Sequence, residues 1–195
     1  MKKKVLIVVG TRPNIIKVTQ FKKLAVPDFP SVEIKIVHTG QHSNEKMSTV
    51  FFDELNVHPD FFIHLTAPTT LSQVGEIMAK MEEVLNSYKP DLLLVVGDVN
   101  STMAAAITAN RMGIKLAHVE SGLRSFDRGM PEEINRILTD DLADYFFVTE
   151  QSGIDNLLKE GKKKENIFLV GNTMIDTLVA FMDSINSSPI LGKLG

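Results

Sequence analysis

Seven short apolar runs recur along this chain, and helix-type patterns separate most of them. The runs are Val5–Val9, Ile34–Val37, Phe61–Leu65, Leu92–Val96, Leu116–Val119, Tyr145–Val148 and Ile167–Val170. Several are continuous rather than alternating, the pattern of strands covered on both faces. Between them, Thr70–Tyr88 carries Leu71, Val74, Ile77, Met78, Met81 and Leu85 at helical spacing. Met103–Met112 is rich in alanine, which suits a helix lying close against a sheet. Pro131 stands where a further helix begins, with Ile134, Ile137, Leu138 and Leu142 as its apolar stripe. Strands alternating with helices predict an α/β fold, a doubly wound parallel sheet.

Composition narrows the function classes. With 21 Lys and Arg against 24 Asp and Glu, the formal charge is −3, which argues against a nucleic-acid binder acting through bulk electrostatics. No apolar run reaches the ~18 residues of a membrane span, so no membrane partner is expected. The start MKKKVLIVVG has a basic end and an apolar run too short for a signal peptide, and reads as the first strand. Without cysteine there is no disulfide, thiolate zinc site or thiol nucleophile. A soluble, cytoplasmic protein with one main core is the expectation.

In an open parallel sheet, ligands bind outside the carboxyl ends of the strands, where strand order reverses. The segments there are Gly10–Asn14, Thr39–His42, Gly97–Ser101, Glu120–Arg124 and Gly171–Thr173. A strand order of 3-2-1-4-5 places Arg12 and Asp98 on facing lips of that crevice. Four of the five arginines (Arg12, Arg124, Arg128, Arg136) lie in or beside these loops, which favours an anionic ligand. Gly10–Asn14 could aim backbone N–H groups at a phosphate. It is neither the dinucleotide fingerprint nor a P-loop, so NAD and simple NTPase readings lose ground.

Asp98, Glu120, Glu132 and Glu133 are the carboxylate candidates for acid–base work. Each has a plainer alternative. Asp98 could cap the helix that follows it, and Glu132 and Glu133 could serve the dipole of the helix after Pro131. Strand alternation puts His118 and Glu120 on one face, a conceivable but incomplete metal pair. Periodicity turns both Glu132 and Glu133 away from the Ile134–Leu138 stripe and cannot choose between them. No serine sits in a nucleophile-elbow context.

Six stretches resemble, in order, the non-hydrolysing UDP-N-acetylglucosamine 2-epimerases: GTRPNIIK (10–17), TGQH (39–42), GDVNST (97–102), HVESGLRS (118–125), MPEEINR (130–136) and VGNTMID (170–176). The resemblance implies a glycosyltransferase-B-type architecture of two Rossmann-like domains around a cleft. This chain would supply the first (1–178), with 179–195 a linker or the start of a missing C-terminal domain. It implies interconversion of UDP-N-acetylglucosamine and UDP-N-acetylmannosamine by elimination and re-addition of UDP. No cofactor and no metal are implied.

By the same resemblance, Asp98, Glu120 and Glu132 match the catalytic carboxylates, Glu132 because it is the first glutamate after the proline. Arg12 matches the diphosphate-binding arginine and Lys17 a further basic position, and Gln41 and His42 match part of an allosteric substrate site; Arg124 and Arg136 join the substrate-binding candidates through their placement at the loops. A homodimer is implied as well. Asn14 departs from the family, standing where a glutamate is common, and Ser125–Met130 is short. The alternatives are a nucleotide-sugar-binding module without catalysis, or a related hydrolysing enzyme that releases N-acetylmannosamine and UDP.

Overall fold

The computed structural model describes residues 2–41 and 52–190. Seven parallel strands form one sheet: β1 (Lys3–Val9), β2 (Val32–His38), β3 (Phe61–Phe62), β4 (Leu92–Val96), β5 (Lys115–Val119), β6 (Tyr145–Val148) and β7 (Ile167–Leu169). The helices are α1 (Arg12–Asp28), α2 (Thr70–Tyr88), α3 (Asn100–Arg111), α4 (Pro131–Leu142), α5 (Gln151–Lys159), α6 (Thr173–Ala180) and α7 (Met182–Asn186). The sheet order is β3-β2-β1-β4-β5-β6-β7, so the chain winds outward from β1 and then returns to the other side of it. The switch point lies between β1 and β4, as the alternation predicts.

Successive residues of a strand face opposite sides, and the sheet buries both. On one side Leu6, Val8, Leu93, Val95 and Leu116 pack on Ile77, Met81 and Leu85 of α2 and on Ala104, Ala105, Ala106 and Ala109 of α3. On the other, Ile7, Val9, Ile36, Leu94, Val96 and Val119 pack on Ile15 and Val18 of α1. Each fully buried aliphatic side chain contributes about 1.5–3 kcal/mol, so the central strands dominate stability. The alanine face of α3 has no bulk to hold it off the sheet, and this brings the start of α3 close to the ends of β1 and β4.

Local chemistry sets the helix ends. The Thr69 hydroxyl accepts from the Ser72 amide at 3.2 Å, and the Ser72 hydroxyl accepts from the Thr69 amide at 3.1 Å, a capping box that opens α2. At its other end Lys89 takes a left-handed φ of 53° before Pro90, which cannot continue the helix. The Phe61–Leu65 run contributes only two strand residues, because after Ile63 bonds the His38 carbonyl the chain leaves the sheet edge for the α2 cap. The tail is two helices rather than one, broken at Phe181. Among the described residues no helix is long and apolar enough to cross a membrane.

Candidate active site

The loops after β1, β4 and β5 converge on Gly97, which ends β4 with φ 67°. A side chain there would stand 3.5 Å from both Lys17 Nζ and Glu120 Oε2 and 3.4 Å from Asn14 Nδ2. Glycine therefore gives the left-handed turn and leaves space beside an ion pair. That pair joins Lys17 of α1 to Glu120 at the end of β5 at 2.5 Å, with side chains only 12% and 14% exposed. Glu120 itself holds φ 68°, an uncommon conformation for a residue with a β-carbon. The next residue after Gly97, Asp98, pairs with Arg136 of α4. Arg136 also reaches Glu133 at 3.3 Å. Two carboxylates, each matched to a cation, thus flank one glycine at the switch point.

The first loop does not present its amides outward. Gly10 N–H and Thr11 N–H both donate to Asn14 Oδ1 at 3.2 Å, and Asn14 Nδ2 donates to the Val96 carbonyl at 3.1 Å. The phosphate cradle expected of Gly10–Asn14 is filled by the loop's own asparagine. A glutamate at that position could accept from the same amides but could not donate to Val96, so Asn14 adds a tie between the ends of β1 and β4.

Arg12 is exposed at the first position of α1. Gln41 accepts from Ser101 N at 3.0 Å and Ser101 Oγ at 2.6 Å, so its side chain is committed to the start of α3. His42 lies outside the described residues. Glu132 is exposed in the first turn of α4. Asp98 does not cap α3, whose capping position is Val99; its carboxylate turns to Arg136 instead.

Glu133 is buried, against the expectation that both glutamates turn outward. Its carboxylate accepts from Ser125 N at 2.9 Å and Phe126 N at 3.0 Å, folding the short loop back over the helix start. Burial opposes its ionisation, but the two amides and Arg136 outweigh burial and hold the carboxyl below its ordinary value. The folded-back loop supplies buried donors that helical periodicity cannot report.

Arg124 is buried too, with its side chain 2% exposed. It bonds Asp140 at 2.8 Å and grips Glu160 through Nε at 2.8 Å and a terminal nitrogen at 2.6 Å. Burial works against its charge, yet these carboxylates raise its already high pKa. Asp140 also meets His118, and His118 reaches the Gly97 carbonyl, so neither His118 nor Glu120 is left to form a metal pair. Sequence reasoning missed Asp140. The available signal was an aspartate spaced with Asn135 and Thr139 on the inward face of α4, where a charge needs a buried partner.

The model of the family described as UDP-N-acetylglucosamine 2-epimerase matches residues 25–193. The chain is 41% identical over 177 residues to the UDP-N-acetylglucosamine 2-epimerase of Methanococcus maripaludis, covering 90% of this chain and 47% of that protein. It is 40% identical over 187 residues to the UDP-2,3-diacetamido-2,3-dideoxy-D-glucuronate 2-epimerase of Pseudomonas aeruginosa, covering 94% and 52%. A crystal structure of the Methanocaldococcus jannaschii UDP-GlcNAc 2-epimerase in complex with UDP-GlcNAc and UDP superimposes with a TM-score of 0.90 at 38% identity, covering 98% of this chain and 52% of that one. The chain spans about half the length of the curated relatives it matches. The matched range takes in the loops of Asp98, Glu120, Arg124 and Arg136, and this chain belongs to the UDP-N-acetylglucosamine 2-epimerase family.

Proposed function

We propose that this chain forms the N-terminal half of an epimerase that inverts carbon 2 of UDP-N-acetylglucosamine. The observation that carries the reading is the pair of carboxylate–cation contacts, Lys17–Glu120 and Asp98–Arg136, on either side of Gly97. The reaction needs groups that remove and return a proton and cations that tolerate a departing diphosphate. A base takes the carbon-2 proton while the bond from carbon 1 to the diphosphate oxygen breaks, and its electron pair leaves with UDP. A carbon 1–carbon 2 double bond remains. Re-addition of UDP with protonation from the other face completes the inversion. Asp98, Glu120 and Glu132 supply acid–base groups, and Arg12, Lys17 and Arg136 supply positive charge. Gln41 and His42 belong to a regulatory substrate contact, and Arg124 acts through buried Asp140 and exposed Glu160, which it holds.

The second half of the cleft comes from a C-terminal domain, with 179–195 the linker to it or its start. An apolar groove of about 910 Å³ along α6 and α7, with Ile175, Leu178 and Ile185 at least half exposed, suits that packing. The active protein is a homodimer working in the cytoplasm. The relative that acts on a diacetamido-glucuronate favours one second reading, the same inversion on another UDP-sugar.

Proton NMR with UDP-N-acetylglucosamine in heavy water tests this. Broadening of the ligand resonances on adding the chain is expected, with exchange of the carbon-2 proton once the second domain is present. Binding without exchange in the two-domain protein would leave a binding module. Release of free N-acetylmannosamine would make it a hydrolysing enzyme.

A further inference from the structure

Behind the two carboxylate–cation pairs lies a line of charge, buried except at its Glu160 end, that the reaction scheme does not use. His118, fully buried on β5, places Nδ1 2.7 Å from Asp140 Oδ1 and Nε2 2.8 Å from the Gly97 carbonyl oxygen. Asp140, also fully buried, gives its second oxygen to Gly122 N–H at 3.0 Å and Arg124 at 2.8 Å, and Arg124 ends on Glu160. A carbonyl oxygen can only accept a hydrogen bond, and so can an ionised carboxylate. Both ring nitrogens of His118 therefore face acceptors, and only a ring carrying two protons satisfies both.

The surroundings favour that state. His118, Asp140, Arg124 and Glu160 alternate in sign and sum to zero, which lets charge survive burial. Of the other charged groups on α4, Glu133 and Arg136 pair with each other and Arg136 with Asp98, while Glu132 and Asp141 are exposed and Asp141 pairs with Lys162. The register neighbours of His118 are Val95 on β4 and Phe146 on β6, both apolar, and the buried face of α3 holds only Ser, Thr and Ala. The Asp140 carboxyl is held below its ordinary value: burial resists ionisation, but His118, Arg124 and the Gly122 amide prevail.

Gly97 is the residue on which the site turns. Its N–H donates to the Val119 carbonyl at 3.0 Å and its carbonyl accepts from His118, so the peptide units before and after Gly97 are each held. Because a peptide is planar, fixing the Gly97 carbonyl fixes the Asp98 N–H and the Asp98 Cα from which the side chain departs. We propose that His118 is a positioning residue, held doubly protonated in the core, whose Nε2–H sets the Gly97–Asp98 peptide and thereby where the Asp98 carboxylate meets Arg136. The consequence for chemistry rests on the epimerase reading above; the protonation and the positioning do not.

Heteronuclear NMR of the histidine ring nitrogens at neutral pH, on the full 195-residue chain, tests the first half without a variant or a ligand. Both nitrogens of His118 should fall in the protonated range, with ring protons slow to exchange. One nitrogen in the unprotonated range overturns the proposal. The second half is read from His118→Gln, which cannot reach both partners. The Asp98 amide should shift and exchange about tenfold faster, while Leu6 and Val95 keep their protection. An unmoved Asp98 amide would reduce His118 to a core residue and overturn the positioning role. If the glutamine variant does not fold, Asp140→Asn reads the same link from the other side: a neutral ring can accept from the new amide at Nδ1 and keep Nε2–H on Gly97. His118 should then lose one ring proton while the Asp98 amide stays in place, and an Asp98 amide that moves with Nε2 still protonated would overturn the positioning role. Failure of the wild-type chain to bind UDP-N-acetylglucosamine would count against the epimerase reading alone, and the ring and amide results would still decide this proposal.

Discussion

The Lys17 ammonium lies 2.5 Å from the Glu120 carboxylate although 103 positions separate them in the chain. The contact ties α1 to the end of β5 across the end of the intervening strand β4. It is a charged strut over the switch point as well as a candidate catalytic pair. Its stability effect should be measurable, since both side chains are mostly withdrawn from water.

A double-mutant cycle of Lys17→Met and Glu120→Gln in urea unfolding should give a coupling of about 1–3 kcal/mol. Each single change should cost more than half the double change, because each leaves its partner unmatched. Coupling below about 0.5 kcal/mol, the level of an exposed pair, would mean that solvent screens the contact.

Gly122→Ala should destabilise more than Gly97→Ala. Both glycines hold a positive φ, at 77° and 67°, so both pay about 1–2 kcal/mol for a β-carbon. At Gly122 the new carbon would also stand 2.3 Å from the Gly153 carbonyl oxygen, where α5 crosses the loop, whereas Gly97 has ordinary contact distances. Gly97→Ala is expected to keep its fold and lose ligand affinity. Thermal unfolding of the two variants side by side checks the order.

Glu133→Gln should lower stability by about 1–3 kcal/mol at neutral pH, because an amide nitrogen replaces one acceptor facing the Ser125 and Phe126 amides. Its folded pKa lies below the ordinary value of 4.5, so its contribution is present above that value and fades as pH falls through the folded pKa. The difference between wild type and variant should therefore shrink on acidification. A difference independent of pH would show that packing, not charge, is what the carboxylate supplies.

Glu76 offers a second acid-sensitive contact, on the far side from the carboxylate loops in sequence. It accepts from the Thr66 and Ala67 amides at 2.9 Å and pairs with Lys80 at 2.8 Å. The Lys80 contact and the two amides lower its pKa from 4.5 to about 2. That stability is complete above about pH 4.5 and is lost as pH drops toward about 2. Glu76→Gln should flatten this part of the acid-unfolding curve, followed by circular dichroism.

Asp98→Asn should reduce turnover of the two-domain protein by at least about 100-fold while leaving the melting temperature within a few degrees. Arg136 keeps Glu133 as a partner in that variant, so the fold has no buried charge to lose. Unchanged turnover would remove Asp98 from the acid–base set.

The sequence alone determined the layer architecture and the loops that carry the site, while the full strand order came from the tertiary structure. Short, mostly continuous apolar runs fit strands buried on both faces, and their alternation with helices leaves few topologies. Helix α2 was legible to the residue, because an apolar stripe and Lys89-Pro90 mark its extent. Tertiary structure decided which charged side chains face which. Arg124 and Arg136 look alike in sequence, yet one is locked to Asp140 and Glu160 in the interior and the other meets Asp98 at the crevice. Glu132 and Glu133 are adjacent, yet only Glu133 is enclosed by the returning loop. Burial of a charge depends on partners brought from distant segments, and periodicity carries only the position of a side chain on its own element. For the same reason the Asp140–His118–Gly97 line was invisible until β4, β5 and α4 were set side by side.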